Sequence, residues 1–174
     1  MDTPLQLRQL IPPLTARTAD GRWVRAWDFK QKKSLAIVFL RLEDVAPRGT
    51  AAAPNPLSAE LAARTDELRR LEAVALVILP APVPASLALG SAEEVVVAAD
   101  VSGRSQRAFL GEDAFGTAGL ARVGAFVADR YGELAAQWIA REASALPGAE
   151  VILEWLSQVQ LACEECGAPH WPAE

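Results

Sequence analysis

Two short, nearly unbroken apolar runs, Ser34 to Leu40 and Val74 to Leu79, limit what this chain can fold into more than any other feature of it. Neither run alternates polar with apolar residues. Both faces of each must therefore be covered, the pattern of central strands in a sheet with helices on either side. Between them Leu57, Leu61, Leu68 and Leu71 fall on one helical face, with Ser58 placed as an N-cap and Glu60 in the first turn. Glu60/Arg64 and Asp66/Arg70 are spaced for i,i+4 pairing. Strand, helix, strand implies a right-handed parallel crossover, so the sheet is at least partly parallel.

The rest of the chain extends that plan. Ahead of the first run, Asp20-Gly21 leads into a β-friendly stretch, Gly21 to Trp27, read as a short strand. The segment Leu42 to Pro56 has fifteen residues, three prolines and no periodicity, and reads as a functional loop. After the second run, Pro80 to Pro84 forms a stiff connector to a short helix around Ala85 to Leu89. Glu94 to Ala99 reads as a third strand closed by Asp100, Ser105 to Leu110 as a helical turn or two, and Glu112 to Gly119 as a glycine-bearing loop. Ala121 to Ala128 and Glu133 to Ile139 read as an antiparallel hairpin around Asp129-Arg130-Tyr131-Gly132. Ala149 to Leu161 closes the fold as an amphipathic helix, with Ile152, Trp155, Leu156 and Val159 on one face. A chain of 174 residues buries about two-thirds of its surface on folding and supports one core without staples. No repeat or linker divides it. The expected organisation is an α/β domain over residues 1–161 followed by a short tail over 162–174.

Charge and cysteines narrow the function. Seventeen Lys and Arg against 22 Asp and Glu give a net charge of −5, opposite in sign to a nucleic-acid binder and excluding nucleic acid as the main partner. No apolar run approaches the ~20 residues of a membrane helix, and the start carries no basic stretch followed by an apolar block. The expectation is a cytoplasmic protein without a membrane partner. The two cysteines, Cys163 and Cys166, form a Cys-x-x-Cys pair, which in a reducing cytosol points to redox or metal chemistry. Cys163 and Cys166 follow a helix C-terminus and enclose Glu164 and Glu165, and both features favour the neutral thiol. Gly167 and His170 give the same stretch the look of a zinc knuckle, with Cys163, Cys166 and His170 supplying three of the four ligands a closed zinc site needs. Three readings stay open: a free or reversibly disulfide-linked redox pair serving a partner protein, a zinc ligand set, and an inert packed tail. Trp23, Trp27, Trp138 and Trp155 lie in assigned elements and are expected in core or interface packing. Trp171, in Pro169-His170-Trp171-Pro172, reads as an anchor for the tail on its own subunit or a neighbour's, which points to a homodimer.

The order of strand, long loop, helix, strand, helix, strand, helix, hairpin and closing helix is similar to the thioredoxin fold as elaborated in redoxins. Leu14 to Leu40, with Asp20-Gly21 and Asp28-Phe29 ahead of the apolar strand, resembles the opening of the alkyl hydroperoxide reductase and thiol-specific antioxidant family, the peroxiredoxins. Phe126-Val127-Ala128-Asp129-Arg130-Tyr131-Gly132 resembles that family's strand and Asp-x-x-Gly turn, and Asp100-Val101-Ser102-Gly103 its Asp-x-x-Gly ahead of a helix. The likeness spans roughly Leu10 to Leu161. It implies a thioredoxin-like mixed sheet flanked by helices and a thiol-dependent antioxidant oxidoreductase. It also implies a reactive cysteine where the first central strand hands over to the long helix, and there the chain departs: Leu42 to Leu61 contains no cysteine. A hydroxyl cannot take its place, because it neither ionises near neutrality nor passes through a sulfenic acid. Peroxidase chemistry at that position is excluded on this reading. Ahead of the hairpin, where the resemblance implies a cis-proline or an arginine, the chain has Val123, with Arg122 one residue earlier and so on the other face of a strand. Arg122, Val123 and Thr50 are the binding candidates, and Cys163 and Cys166 the redox candidates. The competing reading is a non-catalytic binding or regulatory module on the same fold, with or without zinc in its tail.

Overall fold

The apolar runs become strands, and the element between them a parallel crossover. The computed structural model describes residues 5–45, 56–85, 87 and 93–161. Among these the strands are β1 (Thr15–Thr18), β2 (Trp23–Arg25), β3 (Ser34–Phe39), β4 (Ala73–Leu79), β5 (Val95–Ala99), β6 (Phe115–Gly116), β7 (Gly119–Leu120), β8 (Val123–Ala128) and β9 (Leu134–Ala140). The helices are α1 (Leu42–Val45), α2 (Pro56–Ala63), α3 (Thr65–Arg70), α4 (Arg104–Leu110) and α5 (Ala149–Leu161). Seven strands form one sheet in the order β2-β1-β5-β4-β3-β8-β9. β3, β4 and β5 run parallel, and the other neighbours pair antiparallel.

Every residue of β3, β4 and β8 is buried, as their lack of alternation requires. In β3, Ile37 pairs with Phe126 and Phe39 with Gly124 across the antiparallel join to β8. These residues share a face, and over it lies Phe109 from α4. The rings of Phe39, Phe109 and Phe126 form a triangle with centroids 5.1 to 5.9 Å apart, two of the pairs edge-on. Gly124 makes room for this cluster, because a Cβ there would run into Leu110 and the Phe126 ring. The opposite face packs against α5, which also touches α2.

Several expectations need correction. The strand expected over Gly21 to Trp27 shrinks to β2, because Ala26–Phe29 turns into a 3-10 helix held by the Arg25 N–H donating to the Asp28 carboxylate at 2.9 Å. The single helix expected between β3 and β4 is broken at Arg64, whose φ of −115° and ψ of 32° end α2 and start α3. Ser58 is buried inside α2 (Pro56–Ala63), not at its N-cap. Its neighbour Glu60 accepts from the Ala149 N–H at the start of α5, while Arg64 faces Glu67 and Asp66 faces Arg69. On α3, Arg69 reaches the buried Glu94 through two bonds, at 2.9 and 3.2 Å. The segment after β3 opens with one helical turn, α1, and the stretch Glu112 to Gly119 holds a 3-10 turn and the small β6–β7 hairpin. Most of the helix expected around Ala85 to Leu89 lies outside the described residues.

Trp23 and Trp27 are not core residues. Trp23 is 60% exposed because β2 is an edge strand that turns Val24 inward and its neighbours outward, and Trp27 is 67% exposed on the 3-10 turn Ala26–Phe29; of the core and interface packing expected for them, the core is excluded. Trp138 and Trp155 are half-buried against the core as expected.

Candidate functional site

β3 ends beside β4, and the next polar residue is Arg41. The Leu40 N–H donates to the Ile78 carbonyl at 3.2 Å, carrying the sheet one residue further and fixing where Arg41 emerges. From there the guanidinium turns back across the end of the sheet. Its Nε donates to the Leu120 carbonyl at 2.8 Å, and one terminal nitrogen donates to the carbonyls of Ala121, at 3.4 Å, and Arg141. The other terminal nitrogen faces Glu142 at 3.6 Å and Asp44 at 4.0 Å. The side chain is 17% exposed. A planar fork of five fixed donors is well suited to bind carbonyls on two different segments together. Arg41 thus ties the end of β3 to the β7–β8 link and to the chain leaving β9.

Asp44 completes the closure. Its carboxylate accepts the Arg41 backbone N–H at 2.9 Å. Burial nevertheless pushes its carboxyl above the usual range, outweighing that bond and the Arg41 charge, with Glu43 and Glu142 adding repulsion.

A second cluster sits at the ends of β4 and β5. The Asp100 carboxylate accepts from the Ser102 N–H and hydroxyl and, at 2.6 Å, from the Ser105 N–H. Gly103 supplies the left-handed turn between them, at φ +69°, under the Phe115 ring. The buried Gln106 amide donates to the Asp100 and Leu79 carbonyls at 3.1 and 3.4 Å. This cluster starts α4 and fixes Phe109 over the core.

The sequence candidates separate. Arg122 points away from the β3 end, donating to the Leu110 carbonyl at 3.2 Å and pairing with Asp113 at 2.6 Å. Val123 is wholly buried at the start of β8, opposite Ala140. Thr50, Cys163, Cys166 and His170 lie outside the described residues. Among the described residues no group of three or more His, Cys, Asp or Glu could hold a metal ion, and no helix is long and apolar enough to cross a membrane. Sequence reasoning passed over Arg41. Its signal was position: it is the first polar residue beyond the central apolar run, at the carboxyl end of a parallel strand, where sites in open α/β sheets gather.

Neither a family model nor a curated protein matches the sequence. Solved structures do. The reduced 2-Cys peroxiredoxin of Plasmodium vivax superposes with a TM-score of 0.69 at 13% identity, covering 97% of this chain and 90% of that one. The AhpC of Mycobacterium bovis gives 0.67 at 13% identity, covering 98% and 99%. Thioredoxin peroxidase I of Plasmodium yoelii gives 0.63 at 18% identity, covering 97% of each. The chain has the peroxiredoxin-like thioredoxin fold. At these identities the likeness fixes architecture, and chemistry must be argued from side chains. In this peroxiredoxin-like fold, the carboxyl end of the central strand is closed by Arg41, Asp44 and three backbone carbonyls.

Proposed function

We propose that this chain is a peroxiredoxin-like redox domain that does not reduce peroxide at the end of β3 and exchanges electrons through Cys163 and Cys166. The observation that supports it is the Arg41 closure, which commits the local donors to the chain's own backbone in a region whose following segment, Leu42 to Leu61, has no cysteine. The chemistry left to the chain is thiol–disulfide exchange. One thiolate attacks a partner's disulfide, and the second cysteine resolves the mixed disulfide. The pair is oxidised by two electrons and the partner leaves as a dithiol. Glu164 and Glu165 hold down the thiolate fraction, so exchange is slow. Arg122, half-exposed beside Asp113, is the surface contact we assign to the partner. Reduced thiols suit a cytoplasmic setting, and Trp171 a tail-anchored homodimer.

The Cys-x-x-Cys-Gly spacing with His170 supports a second reading, in which the same residues hold zinc and the domain binds without turnover. Metal analysis of the full chain purified without added zinc, beside thiol titration and peroxide and disulfide assays, separates the readings. The redox reading expects two titratable thiols, no metal, no peroxide consumption, and disulfide exchange abolished by Cys163→Ser. Stoichiometric zinc would replace it with the second reading. Brisk peroxide turnover would overturn both.

A further inference from the structure

At the other end of β3 the chain leaves a pocket of about 280 Å³. It opens between the segment before β1, the 3-10 turn Ala26–Phe29, the first residues of β3 and the β8–β9 turn. Its walls include Leu14 and Leu35, both almost fully buried, with Phe29 and Tyr131 beside them. A void of this size far exceeds a packing defect and lies at the lower edge of small-molecule sites.

Two observations say what fits it. The first is that the wall is apolar almost throughout, because polar groups beside it are already spent on the chain itself. The Ile11 N–H donates to the Gly132 carbonyl at 2.9 Å, and the Gly132 N–H to the Asp129 carbonyl at 3.0 Å. The Ala26 and Lys30 N–H groups donate to the Leu14 and Trp27 carbonyls, both at 3.2 Å, and Pro12 and Pro13 have no N–H to offer. One Asp129 carboxylate oxygen accepts the Tyr131 and Glu133 N–H groups at 2.8 Å each. The Lys30 ammonium sits 3.9 Å from the centroid of the Trp27 ring, a cation–π contact. Long basic side chains in such a lining contribute their carbon stems. A polar guest would shed its water here and gain no partner in return, whereas an apolar guest gives up nothing.

The second observation is where exposed apolar surface gathers. Leu10 and Trp27, 43% and 67% exposed, both border the pocket. Large apolar side chains collected around a cavity, as opposed to scattered singly, point to bound ligand. An apolar cavity of about 150 Å³ holds one benzene ring, so this larger one, walled by Trp27, Phe29 and Tyr131, has room for two fused rings.

We infer that this pocket binds a neutral two-ring aromatic molecule, held by ring and aliphatic contacts and not by charge. It lies at the opposite end of β3 from Arg41 and does not rest on the redox reading.

Titration of the ¹⁵N-labelled full chain with naphthalene, followed on the Gly132 amide and the Trp27 indole N–H, tests it. The indole signal is assigned by its loss in Trp27→Phe. One saturable site per chain is expected. Quinoxaline, the same two rings carrying two nitrogen acceptors, should bind weaker by about tenfold or more, because the wall offers those nitrogens no donor. Naphthalene affinity should not fall as salt rises. Ala26→Leu should remove binding by filling the cavity. Trp27→Ala, at an exposed position, should weaken it severalfold on the Gly132 signal with the melting temperature unchanged, and it carries the decision should Ala26→Leu not fold. Absence of saturable binding, quinoxaline binding as tightly, affinity that drops with salt, or full affinity in Trp27→Ala would overturn the assignment. So would naphthalene binding that appears only in Trp171→Ala, which would give the pocket to the chain's own tail, or Trp27 shifts that follow protein concentration alone, which would give it to a second copy.

Discussion

The two ends of β3 are made from one strand and are finished in opposite ways. At the carboxyl end, Arg41 is largely buried and its donors go to the carbonyls of Leu120, Ala121 and Arg141. At the amino end, Arg25, Lys30, Lys33 and Arg130 stand around an apolar opening. A guanidinium turned onto carbonyls of separate segments closes a structure, because it ties those segments together through charge-assisted bonds. The amino end instead leaves a concave, mostly apolar surface. The fold has thus shut the carboxyl end of its central strand and left the amino end open.

The largest effect should come from the packing under the closed end. Phe126→Ala removes one corner of the aromatic triangle, in a strand buried on both faces, and should cost about 3–5 kcal/mol in denaturant unfolding. Leu14→Ala, beside the pocket, should cost about 2 kcal/mol, the low end for a buried leucine, because Leu14 borders space on one side. Equal costs for the two variants would mean that the amino end is as tightly packed as the carboxyl end, which would undo the contrast.

Next comes the clamp itself. Arg41→Ala strips donors from carbonyls on two segments and should cost about 1–3 kcal/mol. Arg41→Lys should recover less than half of that, since a single ammonium cannot span carbonyls met by Nε and a terminal nitrogen together. Lys30→Ala at the open end should fall within about 0.5 kcal/mol of the unaltered chain. Differential scanning calorimetry of the three variants ranks them. A silent Arg41→Ala would make the closure ornamental and reopen the end of β3 as a binding site.

What could be read in advance follows how local each cause is. α5 was legible to the residue because its apolar spacing, Ile152, Trp155, Leu156 and Val159, is local, and the β8–β9 hairpin because its turn is. The role of Arg41 was not, since its carbonyl partners lie 79, 80 and 100 residues away. The break at Arg64 was hidden for the same reason: Glu60, expected to pair within its own helix, is drawn to Ala149, 89 residues on. That Trp23 stays out of the core was hidden because strand composition does not say that β2 would be an edge, and that Trp27 does because the sequence reading ran the strand on through the 3-10 turn. The pocket rim, assembled from four separate segments, left no contiguous motif.

A smaller, pH-dependent effect separates the buried carboxylates. The two bonds from Arg69 hold the Glu94 carboxyl below its usual range. The unfolded chain then binds the proton more readily, so this stabilisation is present above the ordinary glutamate range and fades as pH falls through the lowered value. The melting temperature of Arg69→Ala should lie below that of the unaltered chain at neutral pH, and the gap should narrow on acidification. A gap that is constant with pH would mean that Arg69 acts through packing alone.

Asp44 should show the reverse sign, and the least effect. Burial raises its carboxyl above the ordinary aspartate value of 3.8, so the folded chain holds the proton more tightly than the unfolded one. Its contribution is then greatest below 3.8 and is lost as pH rises through the raised value. Asp44→Asn keeps an acceptor for the Arg41 N–H and cannot ionise, so its stability relative to the unaltered chain should improve as pH rises across that window. Melting curves from about pH 3 to about pH 7 would reveal the slope. A slope of the opposite sign would mean that the Arg41 charge outweighs burial, making the carboxyl end of β3 an ordinary solvated ion pair, more open to water and to ligands than the three carbonyl bonds of Arg41 allow.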